Sequence, residues 1–401
     1  MLNEFWNVYD GNTVKPEISI VIPCLNESET LAKVVNNALI GGRKTGKEFE
    51  IILADNGSTD GSIDIASQLG VKIVEIKTKG YGAAINGGVH ASIGEVIVVA
   101  DADDSYELEN LDKFTNKIES GFDLVIGNRF QGGIQKGAMP FLHKYLGNPV
   151  LSLIGRILFR ITIHDFHCGM RAFRKSKYEQ IQILSSGMEF ATEIIARFAQ
   201  ANFAIAEIST ILRKDGRSRK PHLRTWRDGW RHLRFILVNS PSWLFYFPGL
   251  FLTVIGITFN VINIFGTIQI FGRKVETVGT VIACLITIVG IQFLWFEIIM
   301  KKASNIIGLS AKKSVPSKWK VSSITLEFVI VLSVVIEALM IIWFIYLFMK
   351  WSNGAIDVNG MLIRVKLSVI FLTVTVINVL AISSSFVIFF LDSSKKVADT
   401  K

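Results

Sequence analysis

Four long apolar runs constrain this chain more than any other feature: Leu244–Phe265, Val278–Met300, Ile324–Met349 and Leu367–Leu391. They are 22 to 26 residues long, and about 20 suffice to cross the hydrocarbon core of a bilayer. Trp243, Trp295, Trp343 and Trp351 sit near run ends or in their outer turns, as interfacial aromatics do. The alternative is a set of helices buried in a large soluble core. Composition opposes it, because only 19% of residues are charged, against about 25% in soluble domains. The connection between the second and third runs holds Lys301, Lys302, Lys312, Lys313, Lys318 and Lys320 and no acid. The positive-inside rule puts that loop in the cytoplasm. With four crossings, the N-terminal domain and the tail at 392–401 then share that side. The polar start, Met1–Asn12, has no apolar core of a signal sequence, so no cleavable signal peptide is expected.

The net charge of +9 is unevenly spread. Residues 1–212 carry 20 basic and 25 acidic side chains, whereas Arg213–Arg234 alone carries nine basic and two acidic. A short stripe of that kind is not a nucleic-acid face, and no nucleic-acid partner is expected. Cys24, Cys168 and Cys284 are odd in number and unpaired in spacing, which implies no disulfide framework.

Residues 1–212 read as an α/β domain. Ile18–Ile22, Ile51–Ala54, Val71–Ile76, Val96–Ala100 and Leu124–Ile126 are short aliphatic runs suited to strands covered on both faces. Helical patterns over Glu27–Ile40, Ser62–Leu69 and Tyr81–Ser92 separate the early ones. That alternation predicts a mainly parallel sheet with right-handed crossovers, and such sheets bind ligands beyond the carboxyl ends of their strands.

Those ends carry Pro23-Cys24-Leu25-Asn26-Glu27, then Asp55-Asn56-Gly57-Ser58-Thr59-Asp60-Gly61, Asp101-Ala102-Asp103-Asp104 and Gly127-Asn128-Arg129-Phe130. Each has a bland reading as helix caps or turn chemistry. Together they bring three acidic ends and one basic end to one rim. In an extended segment Asp101 and Asp103 point the same way, and two carboxylates so placed suit Mg²⁺ or Mn²⁺ shared with substrate phosphates. The glycines of Lys79-Gly80-Tyr81-Gly82-Ala83-Ala84 miss the dinucleotide spacing, and the run does not follow the first strand. The histidines of His164-Asp165-Phe166-His167-Cys168 match no common zinc spacing.

On these stretches, together with Ile20-Val21-Ile22-Pro23 and Asp165-Phe166-His167-Cys168-Gly169-Met170-Arg171, residues 17–220 resemble the family 2 glycosyltransferases of GT-A fold. The branch is that of dolichyl-phosphate mannose synthase and polyprenyl-phosphate glucosyltransferases. The resemblance implies a GT-A nucleotide-sugar-binding domain followed by an all-α membrane domain of four transmembrane helices. It implies that Pro23, Leu25, Glu27 and Asp55 line the base and ribose pocket, and that Asp101 and Asp103 hold the metal and diphosphate. Arg129, Arg213 and Arg219 would contact phosphates, and Lys144, next to His143, would help receive a lipid phosphate. Its expected reaction moves one hexose, with inversion, from a nucleotide diphosphate sugar of UDP-glucose or GDP-mannose type to a polyprenyl phosphate at the cytoplasmic membrane face. The sequence departs from the family at Asn56 and Asp104, and at Arg219, where a lysine is more usual, while Ser105 is one of the two residues usual at its place.

Between the two domains, 213–242 reads as a basic juxtamembrane segment. Trp226, Trp230, Leu233 and Leu237 recur at helical spacing, with Arg224, Arg227, Arg231 and Arg234 around them. A helix of that kind rests on an anionic membrane surface. Within the apolar runs of 243–391, Glu337, Gln292 and Asn378 read as a hydrogen-bonded cluster, since polar groups at such depth need partners. Two rivals stay open. A processive polysaccharide synthase carries an Arg-Trp pair near the membrane, and this chain has none. A transporter or scaffold with a regulatory nucleotide-binding domain has no need of the Asp101, Asp103 and Arg129 set. Assembly of this chain as a homo-oligomer also stays open.

Overall fold

The computed structural model describes residues 15–218, 225–265, 269–270, 273–274, 277–306, 326–352 and 358–399. Two compact units are present, one reaching to Ile236 and the other starting at Leu237.

The first unit is built on a seven-stranded sheet in the order β3-β2-β1-β4-β6-β5-β7. Its strands are β1 (Ile18–Cys24), β2 (Phe49–Asp55), β3 (Lys72–Glu75), β4 (Val96–Val99), β5 (Leu124–Asn128), β6 (Arg171–Arg174) and β7 (Ile205–Ser209). All residues of β1, β4 and β5 are buried, as expected for strands covered on both faces. The helices α1 (Leu31–Lys44), α2 (Ser62–Gln68) and α3 (Tyr81–Ala91) make the crossovers between β1, β2, β3 and β4. In α1, Leu31, Val34, Val35 and Ala38 face the core, while Arg43 and Lys44 close its carboxyl end, where the helix dipole favours cations.

β1 pairs in parallel with β2 and β4, and β5 with β7, but β6 runs antiparallel between β4 and β5. The sequence reading gave no strand there, because Arg171-Ala172-Phe173-Arg174 has no apolar run. The inserted strand positions the site. Its register places Arg171 beside Val99 and Ile126, so the segment leading into β6 arrives at the carboxyl ends of β4 and β5. β7 and the helix α6 (Phe190–Gln200) were also unassigned from sequence.

Two further helices complete this unit. The helix α5 (Asn148–Phe159) is preceded by a wide helical turn over His143–Gly147. The helix α7 (Thr225–Val238) buries Asp228, His232 and Ile236, one residue every four, while Trp226 and Trp230 are 81% and 58% exposed. The indoles expected on one helical face therefore point outward, and Leu233 and Leu237 are half-buried. Arg224 and Arg219 lie outside the described residues.

The second unit holds α8 (Phe247–Phe265), α9 (Thr277–Ile306), α10 (Leu326–Ser352) and α11 (Val358–Asp399). All four are long and apolar enough to cross a membrane. Glu337 joins α10 to α11: it accepts a hydrogen bond from Thr375 at 3.2 Å and one from Asn378 at 3.1 Å. Asn378 also donates to the Ser333 carbonyl at 3.3 Å. The helices α8 and α9 meet through small residues, the arrangement membrane helices use to bring backbones together. A Cβ at Gly290 would lie 2.4 Å from Thr253 Oγ1 and 2.9 Å from the Gly249 carbonyl.

That contact generates a prediction. Gly290→Leu should separate α8 from α9 and lower stability in detergent by on the order of 2 kcal/mol, an overpacking cost. Thermal unfolding of the purified variant checks it, and an unchanged midpoint would show that the helices do not pack this closely.

Candidate active site

The rim is assembled from loops that hydrogen-bond to one another. Asp55, at the end of β2, is buried and accepts the Gly57 amide at 2.9 Å and the Ser58 amide at 3.1 Å. Asn26 takes a left-handed φ of 60°, donates its amide to Ser58 Oγ and accepts the Thr59 amide through Oδ1. Asp60 accepts Ser62 Oγ at 2.5 Å and the Ser28 amide at 2.9 Å. Burial pushes its carboxyl up, but these donors hold it down at about 2. Asn56 ties the same loop to the start of α3 by donating to the Thr78 carbonyl and accepting the Gly80 amide. For Asp55, Asn56 and Asp60 the loop is thus a self-capped scaffold, the bland capping chemistry that the sequence also allowed. The Glu27 amide donates to Ser62 Oγ at 2.9 Å, which ties the loop to the segment after β1.

Asp101 and Asp103 follow β4, but in a turn and not in an extended segment. The turn arises because Asp104 adopts a left-handed φ of 60° and the Ala102 carbonyl is fixed by Thr30 Oγ1 at 2.6 Å. Both carboxylates remain in one electrostatic neighbourhood. Tyr81 donates its hydroxyl to Asp101 Oδ1 at 2.8 Å. Burial, and next the charge of Asp103, raise Asp101 to about 6. Asp103 Oδ1 accepts Ser105 Oγ at 2.5 Å, and its Oδ2 accepts Arg217 at 2.8 Å. A Cβ at Gly169 would lie 2.2 Å from Asp101 Oδ2, so only glycine lets the 165–171 segment close over this carboxylate.

The basic residues are distributed differently from expectation. Arg129 forks onto Asp165, with Nε at 2.7 Å from Oδ2 and a second nitrogen at 2.8 Å from Oδ1. Burial opposes its charge, yet Asp165 outweighs it and holds the guanidinium protonated. Arg213 donates to Glu107 at 3.0 Å and Glu109 at 2.5 Å, beside the acidic turn. The guanidinium at Asp103 belongs to Arg217, which the sequence reading passed over between its two chosen neighbours. It also reaches Glu27 at 3.0 Å and Asp215 at 3.2 Å. Arg171 is a second missed residue. Fully buried, it donates to the Cys168 and Ala191 carbonyls and favours the ionised form of Asp101. A lone arginine opening an apolar-poor strand gave little signal in sequence.

Lys144 sits in the wide turn, 5.4 Å from the centre of the Tyr145 ring. Phe141, Tyr145 and Leu146 around it are 74%, 61% and 56% exposed. The α5 helix continues this face through Val150, Leu153 and Ile157, all exposed, and turns Ser152 and Gly155 inward. The inner side rests on Phe166: its amide donates to Ser152 Oγ at 3.3 Å, and its ring would meet a Cβ at Gly155 at 2.6 Å. Small residues in and large ones out invert the usual pattern. Such an exposed apolar face marks an interaction surface. Sequence periodicity could not separate it from a core helix.

Two other features belong to scaffolding. Glu193, buried in α6, accepts the Leu184 and Ser185 amides and pairs with Arg197. His232 on α7 shares a hydrogen bond with Thr192 at 2.8 Å and meets the His167 ring edge-on at 4.5 Å. Burial lowers both histidines: at His167 the neighbouring His232 and then Arg129 add to it, whereas at His232, held at about 4, Asp228 opposes it.

Comparison with known proteins places the sequence in a family. The model of "Glycosyl transferase family 2" matches residues 19–182. The low-salt glycan biosynthesis hexosyltransferase Agl6 of Haloferax volcanii is 34% identical over 284 residues, covering 71% of this chain and 68% of that protein. The dolichyl-phosphate hexose transferase of the same organism is 31% identical over 192 residues, 48% of this chain and 81% of that one. A crystal structure of glucosyl-3-phosphoglycerate synthase from Mycobacterium tuberculosis, in complex with Mn²⁺, UDP-glucose and phosphoglyceric acid, has a TM-score of 0.44. It is 19% identical and covers 55% of this chain and 79% of that one. A matched domain that spans the acidic turn and β6, together with a relative aligned over two thirds of its own length, shows that the chain belongs to glycosyl transferase family 2, its first unit being the GT-A-type glycosyltransferase domain.

Proposed function

We propose that this enzyme transfers one hexose from a nucleotide diphosphate sugar to a polyprenyl phosphate at the cytoplasmic face of the cell membrane, with inversion. The observation that carries the lipid acceptor is the outward apolar face of 141–157, with Lys144 in it, on a domain whose chain also holds four membrane-length helices. The relatives named as a hexosyltransferase and a dolichyl-phosphate hexose transferase support the same reading. In it 1–212 is the catalytic domain, 213–242 the juxtamembrane segment and 243–391 the membrane domain.

The donor set at the acidic turn fits a hard divalent cation. Asp101 and Asp103 offer only oxygens, and burial, with the charge of Asp103 next to it, raises Asp101, a cost that a bound cation would offset. Among the described residues no group of three His, Cys, Asp or Glu forms a complete protein site, so substrate oxygens would complete the shell. Asp101 and Asp103 would hold Mg²⁺ or Mn²⁺, which when bound would supply positive charge against that developing on the departing diphosphate. The chain's own groups orient this centre: Tyr81 holds Asp101, Ser105 holds Asp103, and Gly169 keeps the carboxylate uncovered by a side chain. Pro23, Leu25 and Glu27, backed by the Asp55 loop, form the wall for base and ribose. The acceptor phosphate is anionic at neutral pH. It attacks the anomeric carbon as the bond to the diphosphate breaks, and a single displacement inverts that centre. No side chain needs to remove a proton, so rate rests on positioning and charge.

Three measurements test this reading. Radiolabelled UDP-glucose or GDP-mannose, supplied with polyprenyl phosphate and Mg²⁺ to the purified chain in nanodiscs, should yield label that partitions into organic solvent. Asp103→Asn should reduce that transfer by at least about a hundredfold, the scale of losing a charge-stabilising group, with folding intact. Near-normal turnover by the variant removes Asp103 from the site.

Acid should act through Asp101. Its folded carboxyl protonates near pH 6, and cation binding takes the ionised form. Cation-dependent transfer should therefore fall as pH drops through about 6, with the limb moving to lower pH at saturating Mn²⁺. A flat profile down to pH 5 counts against the assignment.

Replacing Phe141, Leu146 and Leu153 together with serine removes exposed apolar area and little packing. Transfer to a long polyprenyl phosphate should fall about tenfold or more, at about 25 cal/mol per Å² of apolar surface no longer buried in lipid, while nucleotide-sugar binding stays as it was. Equal loss of donor binding would place this face in the donor pocket instead.

A further inference from the structure

Arg217 lies where the proposed cation would act. One guanidinium nitrogen donates to Asp103 Oδ2 at 2.8 Å and another to Glu27 Oε1 at 3.0 Å. Asp215 Oδ2 accepts from it at 3.2 Å. Only 12% of its side chain is exposed, against 14% for Asp103 and 8% for Glu27. The other oxygen of Asp103 is taken by the Ser105 amide and hydroxyl. Every oxygen of that carboxylate is thus engaged by protein donors, and Arg217 ties it to the wall of the donor pocket.

The arginine is held by a strap pinned along its length. The Arg213 amide donates to the Ser105 carbonyl and the Gly216 amide to the Asp103 carbonyl, at 2.9 and 3.0 Å. Beyond Arg217, the Ser218 amide and hydroxyl both donate to Glu29, at 2.7 and 2.6 Å. Residues 213–218 therefore lie across the acidic turn, stitched to β1's loop at one end and to the turn at the other.

Two cations cannot share one carboxylate oxygen without strong repulsion at contact distance. Arg is also the side chain best matched to a diphosphate, through its planar fork of donors. From this we infer that Arg217 is the resident counter-ion of Asp103 and Glu27: a divalent cation gains Asp103 only as Arg217 leaves it, and a nucleoside diphosphate promotes the exchange by giving the guanidinium a new anionic partner. The inference rests on the proposed assignment of the cation to Asp101 and Asp103. Cation and nucleotide are then coupled ligands, each raising the affinity of the other, and the strap keeps the carboxylates neutralised between turnovers. Arg217 is in this account a positioning residue that sets the order of loading.

Electron paramagnetic resonance of Mn²⁺ with the full chain in nanodiscs reads this directly, without turnover. In the absence of nucleotide, Arg217→Gln should bind Mn²⁺ at least about tenfold more tightly than the unaltered chain. Adding UDP, or separately GDP, should tighten Mn²⁺ binding strongly in the unaltered chain and much less in the variant. Glu29→Ala, at an exposed residue that pins the strap through Ser218, should shift nucleotide-free affinity in the same direction by a smaller factor. The inference is overturned if both variants bind Mn²⁺ no more tightly than the unaltered chain without nucleotide, while all three bind it with nucleotide present. If Mn²⁺ is bound by none of them even with UDP or GDP, the assignment of the cation to Asp101 and Asp103 falls, and the inference with it.

Discussion

Two carboxylates, Asp101 and Asp103, stand at the end of β4 in a setting that disfavours their joint ionisation. Burial and the neighbouring charge hold Asp101 near 6, so the turn exists at an electrostatic cost that the proposed cation would relieve. Much of the first unit serves to maintain that arrangement. Thr30 pins the turn from α1, Tyr81 orients Asp101 from α3, and Gly169 closes on it without a side chain. Arg171, fully buried in the antiparallel strand β6, adds a fixed positive charge nearby. A parallel sheet alone would leave β4 and β5 adjacent; the inserted β6 brings the 165–171 segment to the rim, and with it the Asp165 that fixes Arg129.

The same segment connects the rim to surfaces of the first unit that have no business being apolar in water. Phe166 supports α5 from beneath, so that Leu146, Val150, Leu153 and Ile157 face outward. His167 meets His232 on α7, whose outer side presents Trp226 and Trp230. The acidic turn, the 165–171 segment and the two helices with exposed apolar residues therefore form one contiguous packing chain. In a chain whose second unit has four membrane-length helices, this is the organisation expected of an enzyme that meets a lipid-linked phosphate.

Much of this was legible in the sequence for physical reasons. Strands buried on both faces leave continuous aliphatic runs, and β1 to β5 were found within a few residues. Bilayer-length helices leave still longer ones. The Asp101-Ala102-Asp103 triplet was visible through its place after a strand, although the extended geometry expected of it is not found: the left-handed Asp104 makes it a turn. What stayed hidden depends on tertiary partners. Arg171-Ala172-Phe173-Arg174 has strand form only because β4 and β5 flank it. Arg213 and Arg217 belong to one basic stretch, and only folding decides that the first meets Glu107 and Glu109 while the second meets Asp103. The α5 helix is unassigned from sequence, and sequence does not say which side of an apolar helix faces out.

Calorimetric titration of UDP and GDP into the purified chain, with Mn²⁺ and then with chelator, tests the central claim most directly. That claim is that Asp101 and Asp103 handle a diphosphate through a shared cation. The account predicts that at least one nucleotide binds with Mn²⁺ present, and that chelator weakens its binding by about tenfold or more, a coupling of ordinary size between linked ligands. Equal affinity with and without the cation would contradict it, and would leave the two carboxylates as structural groups at the end of β4.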